Sequence, residues 1–161
     1  MGEIRAVVIT VSDACARGER EDLSGAALVE LLQDANATIV ERQVVSDDLD
    51  PLVQLLVDSA ERSDVNLILT TGGTGLGPRD NTPEATRQVI EREAQGISEA
   101  MRVETLKQTP MAMISRGVSG VCSGTLIINL PGSPKAVEEC FKVIEPVLKH
   151  AVDLLSGNTR H

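Results

Sequence analysis

Short, continuous apolar runs alternate with amphipathic stripes along this chain. Residues 4–12, IRAVVITVS, are apolar and β-branched without a polar alternate, which predicts a central strand buried on both faces. In DLSGAALVELLQDA, Ala27, Leu28, Leu31 and Leu32 share one helical stripe, with Asp22 or Ser24 as the cap. ATIVERQVV, residues 37–45, predicts a second strand, and its charged middle belongs where coverage is thinner. Two further apolar runs, Val65 to Thr71 and Thr125 to Pro131, predict two more strands.

Helix starts punctuate these runs. Asp50-Pro51, Thr82-Pro83 and Ser133-Pro134 each place a capping side chain before a proline, whose missing N–H costs nothing in a first turn. In the last helix Val137, Cys140 or Phe141, Ile144, Leu148, Ala151 and Leu155 recur at core spacing, with Pro146 inside as a predicted kink. Between Gly96 and Gly124 the pattern is looser; GISEAMRVETLK predicts a short helix, and a loose hairpin follows. The alternation of strand and helix predicts one α/β domain over residues 1–161. Its sheet is mostly parallel, crossed over right-handedly and covered by helices on both faces, in three αβα layers.

Charge and composition remove several function classes. A formal charge of −9 and a single aromatic side chain, Phe141, argue against nucleic acid, which calls for a basic footprint and commonly for aromatic platforms. No run approaches the length of a membrane span, and MGEIRAVVIT carries Glu3 and Arg5 where a signal peptide needs an apolar core, so a cytoplasmic location is expected. Cys15, Cys122 and Cys140 have no C-x-x-C spacing and are read as free, mostly buried thiols. An anionic ligand would therefore be held locally, by backbone amides, a few cations or a metal ion.

The stretch Thr70 to Asp80, TTGGTGLGPRD, offers such a place at the carboxyl end of a predicted strand. It is neither G-x-G-x-x-G, since Pro78 and Asp80 stand where glycines are required, nor the triphosphate loop, since Pro78-Arg79 replaces the lysine and hydroxyl pair. Gly72, Gly73, Gly75 and Gly77 nevertheless permit a concavity of amides beside the Thr82-Pro83 helix start, with the Thr74 hydroxyl and the Arg79 fork at hand. Asp80 next to an anion cradle calls for a cation such as Mg²⁺, and Asp47, in SDD after the second strand, is the candidate second carboxylate. SDACARGEREDLSG adds Ser12, Asp13, Asp22 and Ser24 at another strand end. His150 and His161 lie in the C-terminal segment and are not placed for catalysis. A reaction with an already ionised nucleophile, such as a phosphate monoester, needs no histidine base and proceeds by positioning and charge neutralisation.

Together, TTGGTGLGPRDNTPEAT, PGSPKAV, SDACARGEREDLSG and SDD resemble the molybdopterin adenylyltransferases of molybdenum cofactor synthesis over essentially the whole chain. ISRGVSGVCSGTLIINLPGSPKA is closer to the Mog and gephyrin G-domain type than to the MoaB type. The resemblance implies a MoaB/Mog-like fold in a homotrimer that transfers AMP from MgATP to the terminal phosphate of molybdopterin, releases pyrophosphate and passes the product to a molybdenum insertase. By position it makes Asp47 and Asp80 the functional acidic pair, and Gly72, Gly73, Thr74 and Gly75 the nucleotide loop. It also sets Ser115, Asn129, Pro131 and Gly132 on the pterin side, with Thr105 where some members have serine. Two other readings are a molybdopterin-binding trimeric scaffold with little turnover and a metal-dependent nucleotide pyrophosphatase, the latter because the fold resembles part of the competence-damage-inducible proteins.

Overall fold

Side-chain alternation along the first strand explains why the sheet is covered twice. In the computed structural model, which describes residues 2–158, β1 (Arg5–Val11) sends Ala6 and Val8 into one core and Val7, Ile9 and Val11 into another. The first core receives α2 (Leu23–Asp34), α5 (Gln95–Thr105) and α6 (Pro134–Leu155) through Leu28, Leu32, Met101, Phe141 and Ile144. The second receives α3 (Leu49–Ala60) and α4 (Thr82–Val89) through Leu52, Leu56 and Ala85. The three expected layers are thus present.

Strand order is β2-β1-β3-β6-β5-β4, with β2 (Thr38–Val45), β3 (Leu67–Thr71) and β6 (Thr125–Leu130) parallel to β1. The charged middle of β2 is explained by its place at the sheet edge. β5 (Ser119–Cys122) and β4 (Arg92–Glu93) are antiparallel additions at the opposite edge. The hairpin expected within the stretch ending at Gly124 is not closed there: only β5 forms in it, and it pairs with the following strand β6 across Ser123 and Gly124 at φ 50° and 80°, two successive left-handed residues that make the turn suited to strand twist. A 3₁₀ segment, Pro110–Ile114, precedes it.

Because α2 carries the chain from β1 outward and α3 brings it back to β3, the winding direction reverses between these two strands. In a doubly wound sheet the ligand crevice lies at that reversal, beyond the carboxyl ends. Register aligns those ends, pairing Thr10 with Thr71 and Thr71 with Leu130.

Local differences from the sequence reading are small and have physical reasons. A four-residue helix, α1 (Asp13–Ala16), follows β1, capped by Ser12 Oγ accepting from Cys15 N at 3.2 Å; it is too short for a periodic signal. Asp22, rather than Ser24, caps α2 by accepting from Gly25 N. α3 and α4 begin two residues and one residue earlier than expected, after Asp48 and Asn81, neither of which makes a side-chain cap bond. Asp50 and Thr82 therefore lie inside the helices instead of capping them, and Pro51 and Pro83 still fall within first turns, where backbone N–H groups lack helical partners anyway. Ser133 caps α6 as expected, and the helix continues through Pro146. His150 is exposed on α6, and His161 lies outside the described residues. Cys15 is half-buried and Cys122 and Cys140 are buried, all free. No helix among the described residues is long and apolar enough to cross a membrane.

Candidate active site

Two clefts open at the carboxyl ends of β1, β3 and β6. The first, about 420 Å³, lies between the glycine loop, α5, the 3₁₀ segment and the start of α6, and is lined by Thr74, Gly75, Met101, Thr105, Ser115 and Pro131 among others. The second, about 530 Å³, lies between α1, α2 and the loop, and is lined by Ser12, Arg20, Ser24, Asp47 and Gly72 among others. Gly73, Asp80, Gly132 and Ser133 border both. The clefts therefore meet at the loop.

Close backbone approach explains the glycines at this junction. Gly72 has φ +96° and a Cβ there would lie 2.4 Å from Val11 O, while a Cβ on Gly132 would lie 3.3 Å from Gly72 Cα. At Gly73 a Cβ would sit 2.3 Å from Thr82 Oγ1. The loop folds back on α4: Thr82 Oγ1 donates to Gly72 O at 2.8 Å and Thr82 N to Gly73 O at 3.1 Å. The start of α4 thus serves loop carbonyls, instead of pointing freely at a ligand. Among the described residues no acceptor takes the N–H groups of Gly73, Thr74 or Gly75, so the junction presents successive unused donors.

Carboxylates lie close beside this loop. Asp47 and Asp13 exchange backbone bonds, Asp13 N donating to Asp47 Oδ2 at 2.8 Å and Asp47 N donating to Asp13 Oδ1 at 3.0 Å. Asp47 is half-buried; burial, with Asp13 and Asp80 nearby, pushes its carboxyl above the ordinary range despite the Asp13 amide and Arg79. Asp80 Oδ2 accepts from Gly77 N at 2.9 Å, which leaves its second oxygen without a protein donor among the described residues. Asp47 Oδ1 is likewise undonated and lies 3.4 Å from the position of a Gly73 Cβ. Two carboxylates near one another with spare hard oxygens fit a Mg²⁺ that takes its remaining ligands from phosphate and water. No group of three or more His, Cys, Asp or Glu among the described residues forms a metal cage by itself.

Other predicted residues have partners of their own. Arg79 is committed to carboxylates, Nε donating to Asp13 Oδ2 at 2.7 Å and Nη2 to Asp13 Oδ1 and Asp48 Oδ1 at 3.0 and 2.8 Å. The Arg79 bonds, followed by the Asp47 amide, hold the Asp13 carboxyl down to about 2, and the same pairs raise Arg79 further above its ordinary value. Asp13 braces this corner and does not line either cleft. Asn129 borders the first cleft, but its amide is used beneath it: Nδ2 donates to Thr70 Oγ1 and Thr86 Oγ1 at 3.0 and 2.9 Å, and Oδ1 accepts from Val118 N at 3.1 Å. Thr105 likewise gives its hydroxyl to Met101 O. Ser12 and Ser24 stand in the second cleft, Ser115, Pro131 and Gly132 in the first. Arg116 escaped the sequence reading; nothing in ISRG distinguishes it from a surface arginine.

The raised Asp47 carboxyl has a consequence for stability. The native state holds that proton more tightly than the unfolded chain, so its stabilising contribution is greatest below the ordinary carboxylate pKa and declines as pH rises through the raised value. Asp47→Asn keeps an acceptor for Asp13 N without the charge. In metal-free buffer its urea midpoint at neutral pH is expected to exceed the wild-type midpoint, the gain vanishing below about pH 4. A lower midpoint at neutral pH would rule out charge strain at this position.

Fold and site together define a doubly wound α/β domain with two clefts joined at an amide-rich loop. Residues 7–150 match the family described as a probable molybdopterin binding domain, and the chain belongs to that family. It is 39% identical over 160 residues to the molybdopterin adenylyltransferase of Helicobacter pylori strain J99, covering 98% of this chain and 91% of that protein. It is 46% identical over 152 residues to the Drosophila melanogaster molybdenum cofactor synthesis protein cinnamon, covering 94% of this chain but only 25% of that protein. Among solved structures, the molybdopterin biosynthesis enzyme MoaB from Thermus thermophilus superposes with a TM-score of 0.90 at 46% identity, covering 96% of this chain and 97% of that one.

Proposed function

We propose that the chain transfers AMP from MgATP to the terminal phosphate of molybdopterin, giving adenylyl-molybdopterin and pyrophosphate. The observation that carries this reading is the junction itself. A reaction between two bound phosphates needs two sites that meet, and Gly73, Asp80 and Gly132 border both clefts. ATP is assigned to the second cleft, where Ser12, Ser24, Asp47 and Gly72 lie, and the pterin to the more apolar first cleft.

Asp47 and Asp80 would hold Mg²⁺, whose chemistry here is to neutralise charge on the triphosphate. The free amides of Gly73, Thr74 and Gly75 would orient the phosphates at the junction. An oxygen of the ionised pterin phosphate forms the new bond to the α-phosphorus, and the bond from that phosphorus to the oxygen bridging the β-phosphate breaks. Pyrophosphate carries away the electron pair. No proton has to be removed from the nucleophile, in keeping with a site that holds no histidine among the described residues.

The homotrimer remains part of the proposal, supported by the exposed side chains Val103, Leu106, Met111, Met113 and Ile114 around the end of α5 and the 3₁₀ segment. So do a cytoplasmic location and delivery of the product to a molybdenum insertase, the latter in line with the greater length of cinnamon. The test mixes protein, molybdopterin and α-phosphate-labelled ATP with and without Mg²⁺. Label reaching the pterin only with metal supports the reading. Pterin binding without label leaves the scaffold, and ATP cleavage without pterin leaves the pyrophosphatase.

A further inference from the structure

Ser115 and Gly117 lie in one wall of the first cleft, and the side chain of Arg116 between them leaves that wall for the glycine loop. Arg116 N donates to Thr74 O at 2.8 Å, Nε to Gly75 O at 2.7 Å and Nη2 to Asp80 O at 2.8 Å. The outer edge of the same guanidinium pairs with Glu84 in the first turn of α4. From the opposite side, Arg102 of α5 donates through Nη1 to Gly117 O at 2.9 Å. The cleft wall is thereby held between two arginines, one of which reaches both ends of the loop.

Asp80 depends on this reach. Its N–H goes to Gly77 O and its Oδ2 accepts from Gly77 N, both partners inside the loop, so Arg116 is its hydrogen-bonding link to the rest of the protein among the described residues. We propose that Arg116 is a positioning residue that sets the Asp80 carboxylate for the nucleotide by tying both ends of the glycine loop to the wall of the pterin cleft. This inference rests on the adenylyl-transfer reading above. The planar fork is what the position requires, because a lysine ammonium keeps the charge near Glu84 but cannot direct fixed donors at Gly75 O and Asp80 O together.

The experiment uses Arg116→Lys, with Glu84→Gln as the variant that loses the ion pair but keeps both loop bonds. Calorimetric titration with α,β-methylene ATP and Mg²⁺ is compared with turnover, molybdopterin binding and far-UV melting. Arg116→Lys is expected to melt near wild type and bind molybdopterin within about threefold, yet to bind the nucleotide about tenfold more weakly and lose about 10- to 100-fold in kcat, as supporting residues typically do. Glu84→Gln is expected to stay within about threefold throughout. Wild-type behaviour of Arg116→Lys, its failure to fold, or an equal loss in Glu84→Gln would overturn the inference and leave Arg116 a scaffold residue. If the wild type binds the nucleotide but transfers no label, the transfer reading fails while the titrations still decide whether Arg116 positions Asp80; if the wild type binds no nucleotide, both fall.

Discussion

Asp80→Asn is expected to fold normally and to lose about 10²- to 10³-fold in kcat, the scale for removing a group that meets charge at the reacting centre, as proposed for Asp80. The fold survives because the asparagine keeps an oxygen for Gly77 N, and because the backbone bonds from Asp80 N to Gly77 O and from Arg116 Nη2 to Asp80 O do not involve the carboxylate. Only the charge, and with it the proposed hold on Mg²⁺, disappears. Transfer of labelled α-phosphate to molybdopterin, measured at saturating ATP with a melting curve alongside, reads both halves. Activity near wild type would remove Asp80 from the mechanism, and a collapsed melt would make it a structural residue.

Gly72→Ala is expected to cost about 3 kcal/mol or more, because a side chain must enter a left-handed backbone and overlap a carbonyl at once. The φ of +96° disfavours a Cβ, and the 2.4 Å approach to Val11 O leaves no flexible neighbour to yield. Relief requires moving the loop away from β1, which breaks the bonds from Gly72 N to Leu130 O and from Thr82 Oγ1 to Gly72 O. Urea denaturation followed by far-UV circular dichroism is the suitable measurement, since the chain has no Trp or Tyr. Gly96→Ala is the control: a Cβ there meets nothing within 4 Å, and no such loss is expected. Equal midpoints for the two variants would show that the loop tolerates displacement.

What could be read from the sequence was whatever local chemistry determines. β1 and β6 announced themselves by unbroken apolar runs, and Ser133-Pro134 by a cap that holds in the structure. The antiparallel edge was blurred because β4 has two residues and β5 four, too few for a period to emerge. That Asp47, Asp80 and the loop glycines would come together beyond the strand ends was legible from their place after strands in a parallel sheet. The commitments of Arg79 to Asp13, of Asn129 to Thr86 and of Arg116 to Gly75 were not, since each spans 41 to 66 residues of chain and exists only once the layers have closed.

On the proposed two-site reading, the shared border of the two clefts also changes how ligands compete. A molecule confined to one cleft is monovalent, and thermal motion releases it in one step. A molecule that crosses Gly73 and Gly132 is divalent, because when one half lifts off, the other keeps it at a high effective concentration beside the vacated cleft. Retention then depends on continuity across the junction: a ligand that stays whole has the grip of both clefts, and one severed there has only the grip of each.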